Sequence, residues 1–271
     1  MNQRKKTIFW LAASALFLLA VAVFGYLWRD EALVTDFSRK NLAPCLEYPF
    51  GTDFMGRDMF VRTVTGLSLS IRLGVLTAAA SAVFAGLMGI GAAVLGKAAD
   101  SAITFLIDLV MGIPHILLLV LISYACGKGF WGVTVGITLT HWTSLARLIR
   151  GEVMQLKSSQ YIQIAGKLGQ SRLQIARNHM LPHILPQFFT GLILLFPHAI
   201  LHEASITFLG FGLSPEQPAI GVILSESMRH LAMGRWWLAV FPGALLMVCV
   251  LLFRVLGESV CRLIDPGSVH Q

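Results

Sequence analysis

Charge is scarce in this chain. Of its 271 residues, 13% are charged and 56% are hydrophobic, whereas a soluble domain carries about a quarter charged residues. A water-soluble core does not need so much apolar sequence. A set of membrane-crossing helices does, at about 20 apolar residues per crossing. Acidic residues are scarcer than basic ones, 14 against 21, which leaves a formal net charge of +7. That excess fits the Lys/Arg bias of cytoplasmic loops in bacterial-type membrane proteins. Nucleic-acid binding is excluded, because no clustered basic face with aromatic platforms is present. Cysteine is sparse as well. Cys45, Cys126, Cys249 and Cys261 show no CxxC spacing and have no histidines at metal-site spacing. Cys45 and Cys126 both fall near the expected outer face, so a disulfide between them stands as the alternative to free thiols. A complete phosphate loop is also lacking. GAAVLGKA, Gly91 to Ala98, nearly matches G-x-x-x-x-G-K-[ST], but Ala98 replaces the hydroxyl that would hold magnesium. The motif also needs a strand before the loop and a helix after it. Here it ends an apolar run, where Lys97 serves as an anchor at the membrane surface. If ATP drives this protein, another chain must bind it.

What is present is a series of long apolar runs. Six spans are expected, at Ile8–Trp28, Ser70–Leu95, Ile103–Ala125, Phe130–Leu148, His183–Phe208 and Leu238–Cys261. Each must be helical, so that its backbone groups are satisfied inside lipid. The first follows Arg4, Lys5 and Lys6. It is long for a signal peptide and no small-residue cleavage site clearly follows it, so it is read as an uncleaved span. The expected fold class is all-α, a polytopic membrane protein of six transmembrane helices. Residues 1–69 would form the first helix and an extracytoplasmic loop. Residues 70–266 would form a core of five helices, with a cytoplasmic loop at about 151–182. An even number of spans puts both termini on one side, and the N-terminal cations place that side in the cytoplasm. The loop at 29–69, with five basic and six acidic residues, then lies outside. Small residues recur every four positions at Ala78, Ala82 and Gly86 and at Gly132 and Gly136, a spacing that lets helices approach closely.

Between the fourth and fifth runs lies QYIQIAGKLGQSRLQIARNHMLPHILP, Gln160 to Pro186. It carries Lys167, Arg172 and Arg177 and no acidic residue. Ile164, Leu168, Leu173 and Ile175 recur near helical spacing, and Pro182 stops the pattern. One or two short amphipathic helices joined around Gly169 are expected. They would either lie on the membrane surface or dock in a partner's groove.

Ala165, Gly169, Leu181 and Pro182 fall at the spacing of E-A-A-x-x-x-G-x(9)-I-x-L-P. This resembles the cytoplasmic loop of permease subunits in ATP-driven bacterial importers. Gln163 stands where that family usually has Glu, and Ile164 where it usually has Ala; Gln cannot form the charge-assisted pair with Arg that a carboxylate could. GTDFMGRD (Gly51–Asp58) resembles the G-T-D-x-x-G-R-D entry to span two in peptide and nickel importer permeases. HEASITFLGFGLSPEQPAIGVIL (His202–Leu224), FPG (Phe241–Gly243) and LGESVCRLIDP (Leu256–Pro266) resemble their later segments, in the same order. The resemblance implies a type I ABC importer permease in the bacterial inner membrane, catalysing no chemistry itself. A second permease would pair with it, and two ATP-binding subunits carrying ATP and Mg would dock on the loop through Gln163, Ala165, Gly169, Arg172, Leu181 and Pro182. An extracytoplasmic binding protein would deliver cargo. This chain would bind no cofactor of its own.

Ionisable groups inside spans are costly and are functional candidates by default. Asp108, Glu203 and Arg254 qualify; their plainer role is to pair with neighbouring helices, Glu203 and Arg254 holding spans five and six together. Glu258 and Arg262, four apart, are placed for a helical ion pair. In GTDFMGRD, Gly51, Thr52 and Gly56 frame Asp53, Arg57 and Asp58, which could pair and fold the loop on the outer mouth. His141 lies mid-span beside Trp142, and His198 and His202 share a helix face. Imidazole suits nickel, copper or zinc, although histidines in a bundle are often only hydrogen-bonded. The HW pair and H-x-x-x-H spacing also resemble nickel-importer permeases. The candidate pathway is therefore Asp108, His141, His198, His202 and Glu203, with His198 and His202 as passing metal contacts. Nickel or a metal–chelator complex is the expected cargo, and di- or oligopeptides the alternative. A stand-alone secondary transporter or channel would favour inverted repeats with interrupted helices, and no convincing repeat is found.

Overall fold

The computed structural model describes residues 3–264. Asp265 and Pro266, the end of the LGESVCRLIDP segment, lie outside the described residues. Ten α-helices are described, α1 (Gln3–Leu27), α2 (Met59–Val94), α3 (Lys97–Gly112), α4 (His115–Ala125), α5 (Gly129–Lys157), α6 (Gln160–Lys167), α7 (Arg172–Ile175), α8 (Leu181–Phe208), α9 (Ile220–Leu231) and α10 (Trp237–Ile264). A π-helical turn, Ala176–Met180, joins α7 to α8.

Among the described residues, four helices are long and apolar enough to cross a membrane: α1, α2, the continuous run from Leu173 to Phe208, and α10. Two of the six expected spans behave differently. The run Ile103–Ala125 is not one straight helix. It breaks at Ile113–Pro114 into α3 and α4, which meet at 99°. Ile113 is extended, with ψ 137°, as the residue before a proline prefers, and Pro114 has no N–H to continue the ladder. The pieces have 16 and 11 residues, or about 24 and 16 Å at 1.5 Å per residue. Neither alone spans a hydrocarbon layer of about 30 Å, so the pair is either one broken span or a re-entrant loop. The fourth run forms α5, whose 29 residues reach about 43 Å. It is long enough but too polar to meet the same apolar criterion. The reason is its position: Thr134, Thr140, His141 and Thr143 are buried among neighbouring helices and do not face lipid.

α2 and α5 form the central pair. Ala82 and Ala85 of α2 pack with Trp142, Ala146 and Ile149 of α5 in one apolar cluster. Ala78 and Ala82 are fully buried, so the small-residue spacing marks a true contact. Gly132 has the same role against α4, because a Cβ there would come within 2.6 Å of the Ser123 carbonyl oxygen. α2 starts where the Asp58 carboxylate accepts from Phe60 N–H at 2.7 Å and Val61 N–H at 3.3 Å; such a cap contributes about 1 kcal/mol.

α9 was not foreseen. Its 12 residues are too few to cross, and it lies against α2, α8 and α10 at the end of the bundle that carries the 28–58 loop. Gly221 permits the contact, since a Cβ there would lie 2.5 Å from the Ala204 carbonyl oxygen. Cys45 and Cys126 are exposed free thiols, so the disulfide alternative is not present. Arg254 pairs with Glu258 at 2.9 Å within α10, not with Glu203.

Candidate functional site

The polar insert folds as two short helices around a glycine. α6 ends at Lys167, and Gly169 turns the chain with φ +87°, a conformation that costs an L side chain but not glycine. Ile162 and Ala165 of α6 pack with Ile175, Ala176 and Met180 on the apolar cluster beneath α2 and α5. The other face carries Tyr161, Ile164, Leu168 and Leu173, all exposed, Leu168 and Leu173 at 78% and 75%. Contiguous exposed apolar groups on a polar element mark an interaction surface. Gln163 lies beside them; its Nε2 donates to the Ser158 carbonyl at 3.0 Å, so the amide is anchored to its own helix start. Leu181 is also exposed, Pro182 lies in the first turn of α8, and Arg172 opens α7. The five-residue π turn after α7 is the wider geometry that often sits at functional joints.

The loop is continuous with α5 on one side and α8 on the other. Those two helices, with the α3–α4 break, line an open cavity of about 860 Å³. Its lining includes Gly112, Ile113 and Pro114 of the break, Thr140, His141, Thr143 and Ser144 of α5, and Gly191, His198 and His202 of α8. His115, the first residue of α4, points into the same space. One ring nitrogen from each of His115, His141 and His202 lies within 4.8 Å of the others. His141 Nε2 and His202 Nδ1 are 3.2 Å apart. His198 lines the cavity but is not a member of this group; its backbone carbonyl lies 2.8 Å from His202 Nδ1. His198 and His202, expected as a pair, both line the cavity, and His202 is the one that groups with His141 and His115. The sequence carried one sign of His115, a histidine directly after a proline in an apolar run.

Asp108 and Glu203 do not line this cavity. Asp108 pairs with Arg147 of α5 at 2.5 Å, and Asp100 takes a bidentate pair from Arg150 at 2.5 and 2.9 Å. These two contacts tie α3 to α5. Glu203 is fully buried and accepts from Ser70 Oγ at 2.5 Å and Thr207 Oγ1 at 3.0 Å, which joins α8 to α2.

At the opposite end from the insert, GTDFMGRD forms a tight turn. Gly51 and Gly56 have φ +70° and +77°, and a Cβ on Gly56 would fall 1.7 Å from the Asp36 carbonyl oxygen. Thr52 pairs with Asp58 in a single antiparallel bridge. Asp53 Oδ2 accepts from Arg57 Nε at 2.6 Å and from Arg62 Nη1 at 3.0 Å. Glu226 of α9 accepts from Arg62 Nη2 at 2.9 Å. The expected Asp53–Arg57 pair is present, whereas Asp58 caps α2 instead of joining it. Arg62 and Glu226 complete a network that the sequence did not reveal.

The sequence pattern of the family described as binding-protein-dependent transport system inner membrane component matches residues 82–268. The chain belongs to this family. It is 30% identical over 252 residues to the dipeptide transport system permease protein DppC of Bacillus subtilis, covering 93% of this chain and 79% of that one. It is 27% identical to the oligopeptide transport system permease protein OppC of the same organism, over 92% and 82% of the two chains. Its fold is similar to a chain of the inward-facing MetNI methionine ABC transporter, with TM-score 0.64 and 17% identity, covering 76% of this chain and 98% of that chain. The permease is therefore an ABC importer's membrane subunit, a transport component and not an enzyme. Membership implies ATP-binding subunits and a binding protein as partners, and a multi-pass place in the inner membrane. The relatives named here are peptide permeases, so the expectation of nickel gains no support from them.

Proposed function

We propose that this permease, paired with a second permease of its kind, forms the pathway of an importer of small peptides. The observation that carries this reading is continuity. α5 and α8 run directly from the α6–α7 loop to the walls of the 860 Å³ cavity, which is within the range of small-molecule sites. Two ATP-binding subunits, holding ATP and Mg, dock on the exposed face of the loop. Their closure moves α6 and α7, and the motion reaches α5 and α8, which carry the cavity's histidines. The α3–α4 break and the prolines inside α8, Pro186 and Pro197, supply joints that let the walls rearrange. The cycle is a population shift between inward- and outward-open states. Both termini lie in the cytoplasm, and the 28–58 loop meets the binding protein outside.

The peptide cargo rests on the relatives. One observation favours a second reading, nickel or a nickel–chelator complex: three imidazoles converge in the cavity wall, and imidazole suits nickel. Uptake of labelled dipeptide and of radioactive nickel in a deletion strain separates the two. Loss of dipeptide uptake alone supports the peptide reading; loss of nickel uptake alone overturns it.

A further inference from the structure

We infer that His115, His141 and His202 form a binding site for a divalent first-row transition-metal ion. The inference deepens the metal reading of the cavity and rests on it for any link to transport. The three side chains come from three different helices, and their rings gather with centroids 4.5 to 4.9 Å apart. Three features point to a ligand and not to packing alone. First, the His115 Nε2 atom is buried and has no hydrogen-bond partner among the described residues, although buried ring nitrogens are normally satisfied. Second, His141 is held by its other nitrogen: Nδ1 lies 3.0 Å from the Ile137 carbonyl. With Nδ1–H donating to that carbonyl, the lone pair falls on Nε2, 3.2 Å from His202 Nδ1; Thr140 Oγ1 also lies 3.1 Å from the same Nδ1. This is the outer-shell arrangement that orients metal-binding histidines. Third, the closest pair of ring nitrogens, at 3.2 Å, is already near the separation of about 3.3 Å that two ligands 2.0–2.1 Å from a tetrahedral ion would have.

As it stands, a proton on His202 Nδ1 is shared between the His198 carbonyl and His141 Nε2. A metal ion would replace it there, with the His202 proton moved to Nε2. The remaining gap, up to 4.8 Å, closes by rotation of His115, which begins α4 at the break. Three neutral imidazoles leave at least one coordination position open, and Thr140 and Ser144 line the same cavity. An ion bound this way can keep a chelating ligand, for which the cavity has room.

The test is a titration of the full-length permease in mild detergent with cobalt(II) and nickel(II), followed by visible absorption and calorimetry. About one equivalent is expected to bind saturably. His141→Ala and His115→Gln are expected to weaken binding at least about tenfold, the lower end of what loss of a mere outer-shell partner costs. His183→Ala, on the exposed start of α8 outside the cavity, serves as the control and should bind as the unaltered chain does. Size-exclusion profiles identify any variant that fails to fold, and His115→Gln removes a ring nitrogen, Nε2, that has no hydrogen bond to lose among the described residues. Absence of saturable binding, or equal binding by the two cavity variants, overturns the site. Binding without nickel uptake by cells supports the site and overturns metal as cargo; nickel uptake without binding overturns the site.

Discussion

Arg62 has only 2% of its side chain exposed and is held by two carboxylates, one nine residues before it and one 164 residues ahead. Burial of such a charge is tolerated only while it is paired, because its desolvation costs several kcal/mol. Asp53 carries most of the pairing, with Oδ2 accepting from both Arg57 and Arg62 and Oδ1 accepting from the Met55 and Arg57 backbone N–H groups. Asn at position 53 keeps an Oδ1 acceptor for the two backbone bonds but loses both charge pairs. Asp53→Asn is therefore expected to cost about 3–5 kcal/mol, the range for breaking one side of a buried pair. Thermal unfolding of the purified chain checks this. A change in Tm no larger than that of an exposed control such as Asp30→Asn would show that the network is not what pins the outer loop to α9. The Glu226 pair is more open, with 26% of that side chain exposed, so Glu226→Gln should cost less.

At the scale of elements, the insert is the part whose local structure and exposed chemistry diverge most usefully. Gly169 has φ +87°, and a Cβ there meets nothing within 4 Å. A large side chain at this position would strain the turn, of order 1–3 kcal/mol, without driving into the core. It would also stand beside the exposed Leu168. Gly169→Trp is thus expected to leave the membrane fold and its Tm within a few degrees, while ATP-dependent uptake and stimulation of the ATPase subunits fall sharply. Unchanged stimulation would mean that partners do not read this face. The insert was legible before any coordinates because a polar amphipathic pattern stands out between lipid-facing runs, and because proline and glycine mark its limits. Four crossings were legible for the same reason: lipid imposes length and apolarity on each helix separately. The other two runs were also placed as helical, but how each is built depends on tertiary packing. α5 hides its threonines and histidine inside the bundle, and the run expected as a single span bends by 99° between α3 and α4. His115 and the Arg62–Glu226 pair were missed because nothing local announces a partner on another helix. Asp53 and Arg57 could be named as a pair from type and place, and the pair is present; for His141 and His202 the type and place were legible, but their partners came only from the packing of the chain.

For the whole molecule, the cysteines supply a probe of which end of the bundle faces which compartment. Cys45 lies in the loop before α2 and Cys126 at the turn from α4 to α5; both are exposed. The two turns share one end of the bundle. The Gly129 N–H donates to the Gly212 carbonyl after α8, Ser123 Oγ donates to the Phe211 carbonyl, and the loop carrying Asp53 is tied to α9. Cys261 sits near the far end of α10, and Cys249 is buried. With the Arg4–Lys6 end and the α6–α7 insert in the cytoplasm, as proposed above from the lysine and arginine bias, Cys45 and Cys126 would face outward. A membrane-impermeant maleimide applied to intact spheroplasts is expected to label Cys45 and Cys126 and to leave Cys261 unlabelled until the membrane is permeabilised. Single-cysteine variants assign each signal. Labelling of Cys261 alone in intact spheroplasts would invert the topology, place the insert outside and remove its access to ATP-binding subunits. Protection of Cys45 on adding the binding protein, with Cys126 still reactive, would further place the docking of that partner on the 28–58 loop.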